Sequence, residues 1–290
     1  MDKEKYTISV IIPHYNSFDY LINLISTIPE NEKIQIIVVD DNSSDFNPEL
    51  IKRKNLTLLF NDSKGAGSAR NLGLSQVKSR WVVFADADDY FTPDAFNIIL
   101  NDVENYSNCE LLYYEPLSFN ILNNNTGRRH RYYEKLIKNF LCSNDYNSLM
   151  DLKTKFNVPW SKVISNKLIE KNNIIFDDVM YSNDVMFSVK SGVLSKNIHV
   201  SKKHIYVVTE TSNSLTQNNT IASLICRYNV AIRVNSYLIN KNLKDFQMPL
   251  ISFFFKCCKI NLIKALPLLF DILLKRQKIM PNKWMKKLIG

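Results

Sequence analysis

Asp86 and Asp88 stand one residue apart, with Asp89 next to them, directly after a short apolar run from Trp81 to Ala85. Carboxylates at that spacing can share a hard divalent cation. Mg2+ and Mn2+ favour oxygen ligands and are held by one or two carboxylates plus substrate phosphates. Such a cation would stabilise charge on a departing diphosphate as a Lewis acid. The same triplet can equally be a solvated acidic turn that caps a helix opening at Pro93, and alone it does not discriminate. Two more polar sets follow apolar runs: Pro13-His14-Tyr15-Asn16 after Ile8 to Ile12, and Asp40-Asp41-Asn42-Ser43-Ser44-Asp45 after Ile34 to Val39. Gly65-Ala66-Gly67-Ser68-Ala69-Arg70-Asn71 supplies glycines and a cation. A dinucleotide fingerprint would need a small residue in place of Arg70 and would follow the first strand, so that reading fails. The segment reads as a glycine-opened helix start. Arg70 then lies either near a donor phosphate or sugar, or on the surface of a tight turn. Further on, Asp177, Asp178 and Asp184 precede an apolar stretch. A carboxylate there can accept a substrate proton or satisfy the backbone donors of a helix start.

These sets need elements that bring them together. Ile8–Ile12, Ile34–Val39, Leu56–Phe60, Trp81–Ala85 and Cys109–Glu115 are short, apolar and β-branched or aromatic. Runs without alternation suit strands buried on both faces of a parallel sheet. Helical patterns lie between them: one with Leu21, Leu24, Ile25 and Ile28 on one face, one from Gly65 to Val77, and one opened by Pro93. The alternation predicts a doubly wound α/β sheet with mostly parallel strands, whose ligands sit at the carboxyl ends of the strands. Past residue 116, helices are expected around 132–141, 161–171, 183–194 and 220–240, with a strand from His204 to Val208. The chain from Phe246 reads as helical, interrupted at Pro249, Pro267 and Pro281. His14 reads as a loop residue near a ligand, not a catalyst.

The four motifs occur in one order. They are Ser9-Val10-Ile11-Ile12-Pro13-His14-Tyr15-Asn16, Val39-Asp40-Asp41-Asn42-Ser43-Ser44-Asp45, Gly65 to Leu74, and Phe84-Ala85-Asp86-Ala87-Asp88-Asp89. Together they resemble the family 2 inverting glycosyltransferases with the glycosyltransferase-A fold. The resemblance covers residues 8 to about 100 and returns at Trp160-Ser161-Lys162 and from Phe176 to Phe187. It implies that Pro13 and Tyr15 border the nucleotide, that Asp41 bonds the uracil, and that Asp86 sits near ribose and metal. It further implies that Asp88 binds Mn2+ or Mg2+ and that Asp184 is the base, with Asp177 and Asp178 as fallback bases. The family's Glu-Asp pair reads Asn183-Asp184 here, so the preceding acid is lost. In the weaker match at Tyr206 to Thr216 an expected Arg is missing, where Thr209 and Glu210 stand.

The implied activity is transfer from a UDP-sugar to a saccharide or lipid-linked saccharide in surface polysaccharide synthesis. Two alternatives compete. A nucleotidyltransferase would carry a Gly-rich basic loop after strand one, where Pro13 to Asn16 stand. A non-catalytic membrane-surface adaptor would not need Asp41, Asp86, Asp88 and Asp184.

The bulk composition suits a globular protein of 290 residues with 22% charged residues. We expect a catalytic domain over 1–215, with a nucleotide half at 1–115 and an acceptor half at 116–215, and a helical region over 216–290. The five cysteines show no zinc spacing and are expected to be reduced and mostly buried. No signal-peptide pattern or long apolar segment is read, so a cytoplasmic protein is expected. The net charge of +9 is uneven: from Phe246 onward nine Lys or Arg face one acid, Asp271. The front is therefore nearly neutral and no nucleic-acid partner is expected. The basic, apolar tail over 246–290 either docks on an anionic membrane or packs on the protein or on a second subunit.

Overall fold

A computed structural model describes residues 5–211, 220–275 and 277–280. The front of the chain runs β1 (Tyr6–His14), α1 (Phe18–Ser26), β2 (Ile34–Asp40), β3 (Leu56–Phe60), α2 (Ala66–Ser75), β4 (Ser79–Phe84), β5 (Tyr90–Phe91), α3 (Ala95–Asn105) and β6 (Leu111–Tyr114). It continues through β7 (Leu117–Asn120), β8 (Asn125–Thr126), α4 (Arg131–Ser143), α5 (Tyr146–Lys155), β9 (Lys162–Ser165), α6 (Asn166–Lys171), α7 (Val185–Leu194), β10 (Ile198–Ser201) and β11 (Tyr206–Glu210). Three helices follow, α8 (Ile221–Asn240), α9 (Ile251–Cys258) and α10 (Leu262–Leu274).

The main sheet has the order β10-β6-β9-β4-β1-β2-β3. β4, β1, β2 and β3 are mutually parallel, which accounts for their unbroken Ile/Val runs: both faces of β2 are fully buried. The chain steps outward from β1 to β3 and then returns to the other side of β1 at β4. The carboxyl ends of β1 and β4 therefore flank a topological switch point, where open α/β sheets bind ligands. β9 runs antiparallel between β4 and β6. A second, smaller sheet has the order β5-β11-β7-β8.

Several expectations need correcting. Residues 161–171 do not form one helix. Lys162–Ser165 is a central strand with every residue buried, and only Asn166–Lys171 is helical. Burial between two strands overrides the helical pattern there. α5, β7 and β10 were not anticipated. Pro267 does not interrupt the tail but lies inside α10, at its second turn. Pro281 and Trp284, with Ser214-Leu215-Thr216 and the 215/216 boundary, lie outside the described residues. The cysteines are free as expected, but Cys257 alone is buried and Cys142 is exposed. Among the described residues no helix is long and apolar enough to cross a membrane.

α8 ties the tail to the front. Val230, Val234 and Leu238 pack with Val185, Met186 and Val189 of α7. Leu224, Tyr228 and Ala231 pack with Leu250, Cys257, Ala265, Leu268 and Ile272.

Candidate active site

Three strand ends meet as expected. Asp41 N donates to the His14 carbonyl at 2.8 Å, and Ala85 N donates to the Ile11 carbonyl at 3.1 Å, so the loops after β2 and β4 hang on the end of β1. His14 itself is not a loop residue. It closes β1, is fully buried, and its Nδ1 lies 2.8 Å from Asp40 Oδ1, while Nε2 accepts from Ser17 N at 3.2 Å. That pattern assigns the Nδ1–H tautomer and makes the His14–Asp40 pair a strut. The adjacent aspartate points the other way along the chain. Asp41 accepts from Asn61 Nδ2 at 2.7 Å and from Gly65 N at 2.8 Å, fixing the start of α2. Gly65 has φ 109°, a conformation open to glycine alone without strain. Tyr15, 61% exposed, offers a bare ring beside the partly buried Pro13.

The glycine-rich segment does something its sequence did not announce: it grips the loop ahead of α7. A Cβ on Gly67 would meet the Asp177 carbonyl at 2.3 Å, so backbone touches backbone. Asn71 clamps Phe176 at both backbone groups, donating to its carbonyl at 3.0 Å and accepting from its N–H at 2.8 Å. Arg70 is buried, not a surface residue. It donates to Asp86 Oδ1 at 2.6 Å and to Asn183 Oδ1 at 2.9 Å, over the Phe176 ring. One guanidinium thus joins the end of β4 to the loop that carries Asp184, more than a hundred residues away. Asn183, standing where the family's acid is lost, is a neutral acceptor for it.

The three acids after β4 separate into roles. Asp89 is buried and structural: it accepts from the Tyr206 hydroxyl at 2.8 Å and from Thr209 N at 2.7 Å. Tyr206 Oη in turn accepts from Asp86 N at 2.8 Å. Burial, then the Asp88 and Asp86 charges, push the Asp89 carboxyl well above the usual range. Asp86 is held by Arg70. Asp88 is partly exposed, and burial followed by the Asp86 charge raises its carboxyl, with Arg129 opposing. A cation would relieve that crowding. Among the described residues no three His, Cys, Asp or Glu side chains converge on one point. Asp88 with Asp86 nonetheless fits a Mg2+ or Mn2+ that takes its other ligands from a diphosphate.

Asp184 occupies the N-cap of α7 but makes no side-chain capping bond, so it is not consumed by the helix. Its carboxyl is pushed up to about 6, first by burial, with Arg70 lowering it, Asp86 raising it and Lys162 lowering it. Asp177 is paired with Arg233 of α8 at 2.8 Å, and Asp178 is exposed.

Sequence reading missed four groups here. Lys162, fully buried on β9, donates to the Phe156 carbonyl at 2.6 Å between the Tyr113 and Phe156 rings. Burial holds its ammonium down at about 7, with the Asp184 charge opposing. Tyr206 and Thr209 organise the acids after β4. Arg129, whose amide and that of Arg128 donate to Glu210, brings a cation towards Asp88. The tripeptide Trp160-Ser161-Lys162 was a signal for Lys162, and the weak match at Tyr206 to Thr216 was one for Tyr206 and Thr209; nothing local marks Arg129.

Comparison with known proteins bears on the family and the fold. The Staphylococcus aureus poly(ribitol-phosphate) β-N-acetylglucosaminyltransferase TarS is 25% identical over 215 residues, covering 70% of this chain and 35% of that protein. The crystal structure of TarS 1-349 with UDP-GlcNAc superposes with a TM-score of 0.67 at 21% identity, covering 83% of this chain and 71% of the other. The Bacillus subtilis minor teichoic acid biosynthesis protein GgaA is 33% identical over 104 residues, covering 31% and 23% of the two chains. The mannosyltransferase PcManGT of Pyrobaculum calidifontis, solved with GDP-Man and Mn2+, has a TM-score of 0.55 at 16% identity, covering 92% and 75%. The matches span 35% of TarS and 23% of GgaA, so the chain corresponds to a part of these curated relatives. The fold is that of the TarS structures, a mostly parallel α/β sheet flanked by helices. The model of glycosyl transferase family 2 matches residues 9–171, more than half of the 290 residues, and the chain belongs to that family.

Proposed function

We propose that this chain is an inverting, metal-dependent glycosyltransferase that moves a sugar from a UDP-sugar to a saccharide or lipid-linked saccharide during surface polysaccharide synthesis. The observation that carries the reading is the Arg70 bridge, which sets a proton-avid Asp184, with no side-chain capping bond, beside the carboxylates after β4. Pro13 and Tyr15 border the base and ribose, and Asp41 lies at the uracil. Asp86 and Asp88 would hold Mn2+ or Mg2+, and the ion would supply charge stabilisation for the leaving diphosphate. Asp184 takes the proton from the acceptor hydroxyl as the oxygen attacks the anomeric carbon. Attack on the face opposite the diphosphate inverts the anomeric configuration. Arg70 positions Asp86 and keeps Asp184 ionised near neutral pH. The UDP-GlcNAc in the TarS crystal structure supports a UDP-sugar, the Mn2+ with PcManGT supports a metal, and the names of TarS and GgaA support a surface-polymer acceptor.

The test is nucleotide release by the purified chain from a panel of UDP-, GDP- and dTDP-sugars, with Mn2+ or with excess chelator. Release is expected from a UDP-sugar only, to need the cation, and to fall about 10³-fold in Asp88→Ala as metal stabilisation is lost. Full activity in excess chelator would remove the metal role, and turnover confined to GDP- or dTDP-sugars would remove the donor assignment.

A further inference from the structure

α10 is apolar on both sides. Ala265, Leu268 and Ile272 are buried against α8 and α9. On the other side Leu262, Ile263, Leu266, Phe270, Leu273 and Leu274 face solvent, with Ile263 79% and Leu274 78% exposed. At about 100° per residue these six fall within an arc of about 120°. A helix hydrophobic all round normally belongs inside a protein or in a lipid phase, and single exposed leucines are ordinary where a continuous apolar stripe is not.

The charges around this stripe say what it meets. Lys264 of α10 and Lys275, the residue after it, share one flank, and Lys256 of the neighbouring α9 and Lys259, the residue after it, are exposed. Asp271, on the same flank as Lys264, is half-buried. It accepts from the Tyr228 hydroxyl at 2.7 Å and lies 3.6 Å from the Lys275 ammonium. The rim is thus cationic, with its one acid on α9 and α10 already engaged. A second copy of the chain would bring that cationic rim against itself across a two-fold axis. An anionic lipid surface complements both features.

We propose that the outer face of α9 and α10 docks the protein on an anionic membrane, with the α10 stripe sunk to the level of the acyl boundary and the lysines at the headgroups. The helix lies in the plane and does not span: 13 residues reach only about 20 Å, against a hydrocarbon core of about 30 Å. Interfacial helices have this arrangement of apolar face and basic margin, and they bind reversibly. A lipid-linked acceptor and the enzyme would then share one surface; that consequence rests on the function proposed above, whereas the docking does not.

Vesicle co-sedimentation of the full chain decides it. Phosphatidylglycerol-containing vesicles should pellet the protein at low salt, phosphatidylcholine vesicles should pellet at least about 10-fold less, and high salt should release it. Each lysine near an anionic surface is worth roughly a fivefold change in partitioning, so Lys256→Glu/Lys259→Glu/Lys264→Glu should cut binding by about 10²-fold or more. Ile263→Gln/Phe270→Gln, at exposed positions, should also abolish pelleting while the melting temperature holds. Wild-type protein left in the supernatant with anionic vesicles overturns the proposal without recourse to any variant. So does equal pelleting with neutral vesicles, or lysine variants that bind like wild type. A concentration-dependent dimer lost in Ile263→Gln/Phe270→Gln would assign the stripe to a second copy instead.

Discussion

The loop after β4 and the loop ahead of α7 each carry three aspartates, and they put them to opposite uses. After β4, Asp86, Asp88 and Asp89 crowd together: the Asp86 charge adds to burial in raising Asp88, both charges add to burial in raising Asp89, and Asp89 is sealed under Tyr206 and Thr209. Ahead of α7 the acids are dispersed. Asp177 goes to Arg233, Asp178 to solvent, and Asp184 to a partly buried seat facing Arg70, Asp86 and Lys162. Crowded carboxylates invite a cation from outside. A lone carboxylate balanced by protein cations can instead cycle its own proton. The difference lies in neighbours, since the residue type is the same throughout.

The hardest way to break this contrast is Asp184→Asn. Shape is kept and proton acceptance is lost, so turnover should fall about 10²-fold or more with UDP affinity little changed. In the wild type, activity should fall as pH drops through about 6, the pH at which Asp184 gains its proton. The stability effect has the opposite sign. A carboxyl raised from 3.8 to about 6 by folding costs the fold nothing below pH 3.8 and its full penalty above pH 6. The asparagine variant should therefore be more stable than wild type at pH 7–8, by about 1–3 kcal/mol, with the difference shrinking towards pH 4. Wild-type turnover in Asp184→Asn with a dead Asp178→Asn would move the base to the exposed acid.

Gly67→Ala tests whether the glycine segment acts through the loop. Its Cβ would press on the Asp177 carbonyl at 2.3 Å, which backbone can relieve only by moving. We expect a loss of about 1–3 kcal/mol in stability from overpacking and roughly 10-fold in turnover from misplacing Asp184, read by thermal melts and steady-state kinetics. Unchanged kcat in a destabilised variant would confine the glycine to packing.

Lys162→Met gives the smallest effect and the sharpest reading. The methionine keeps bulk and removes the cation that lowers the Asp184 carboxyl. The acid limb of the pH profile should move to higher pH, with activity at neutral pH down about 3-fold and KM for the donor unaltered. A uniform drop in kcat with no shift of the limb would mean that Lys162 only fills space. Because burial holds its own ammonium at about 7, the wild-type benefit should fade as pH rises past that value.

Much of this was legible from the sequence alone. The unbroken Ile/Val runs over 8–12 and 34–39 specify strands buried on both faces, because period and composition are local properties. A sheet of parallel strands sends the residues after each strand to one edge, so the placing of the loops after β1, β2 and β4 at that edge followed from the alternation of elements. What tertiary structure decided was which group touches which. Nothing in the spacing of Gly67, Arg70 and Asn71 reveals that they hold residues 176–183, a contact across more than a hundred positions. Asp40 and Asp41 are equivalent as text, yet one pairs with buried His14 and the other fixes α2, because successive residues leaving a strand face opposite ways. Lys162 sits in a segment whose local pattern suits a helix; its burial between β4 and β6 made it a strand and placed a cation near Asp184. Proton affinity depends on such distant neighbours and on exclusion of water, which a linear pattern does not encode.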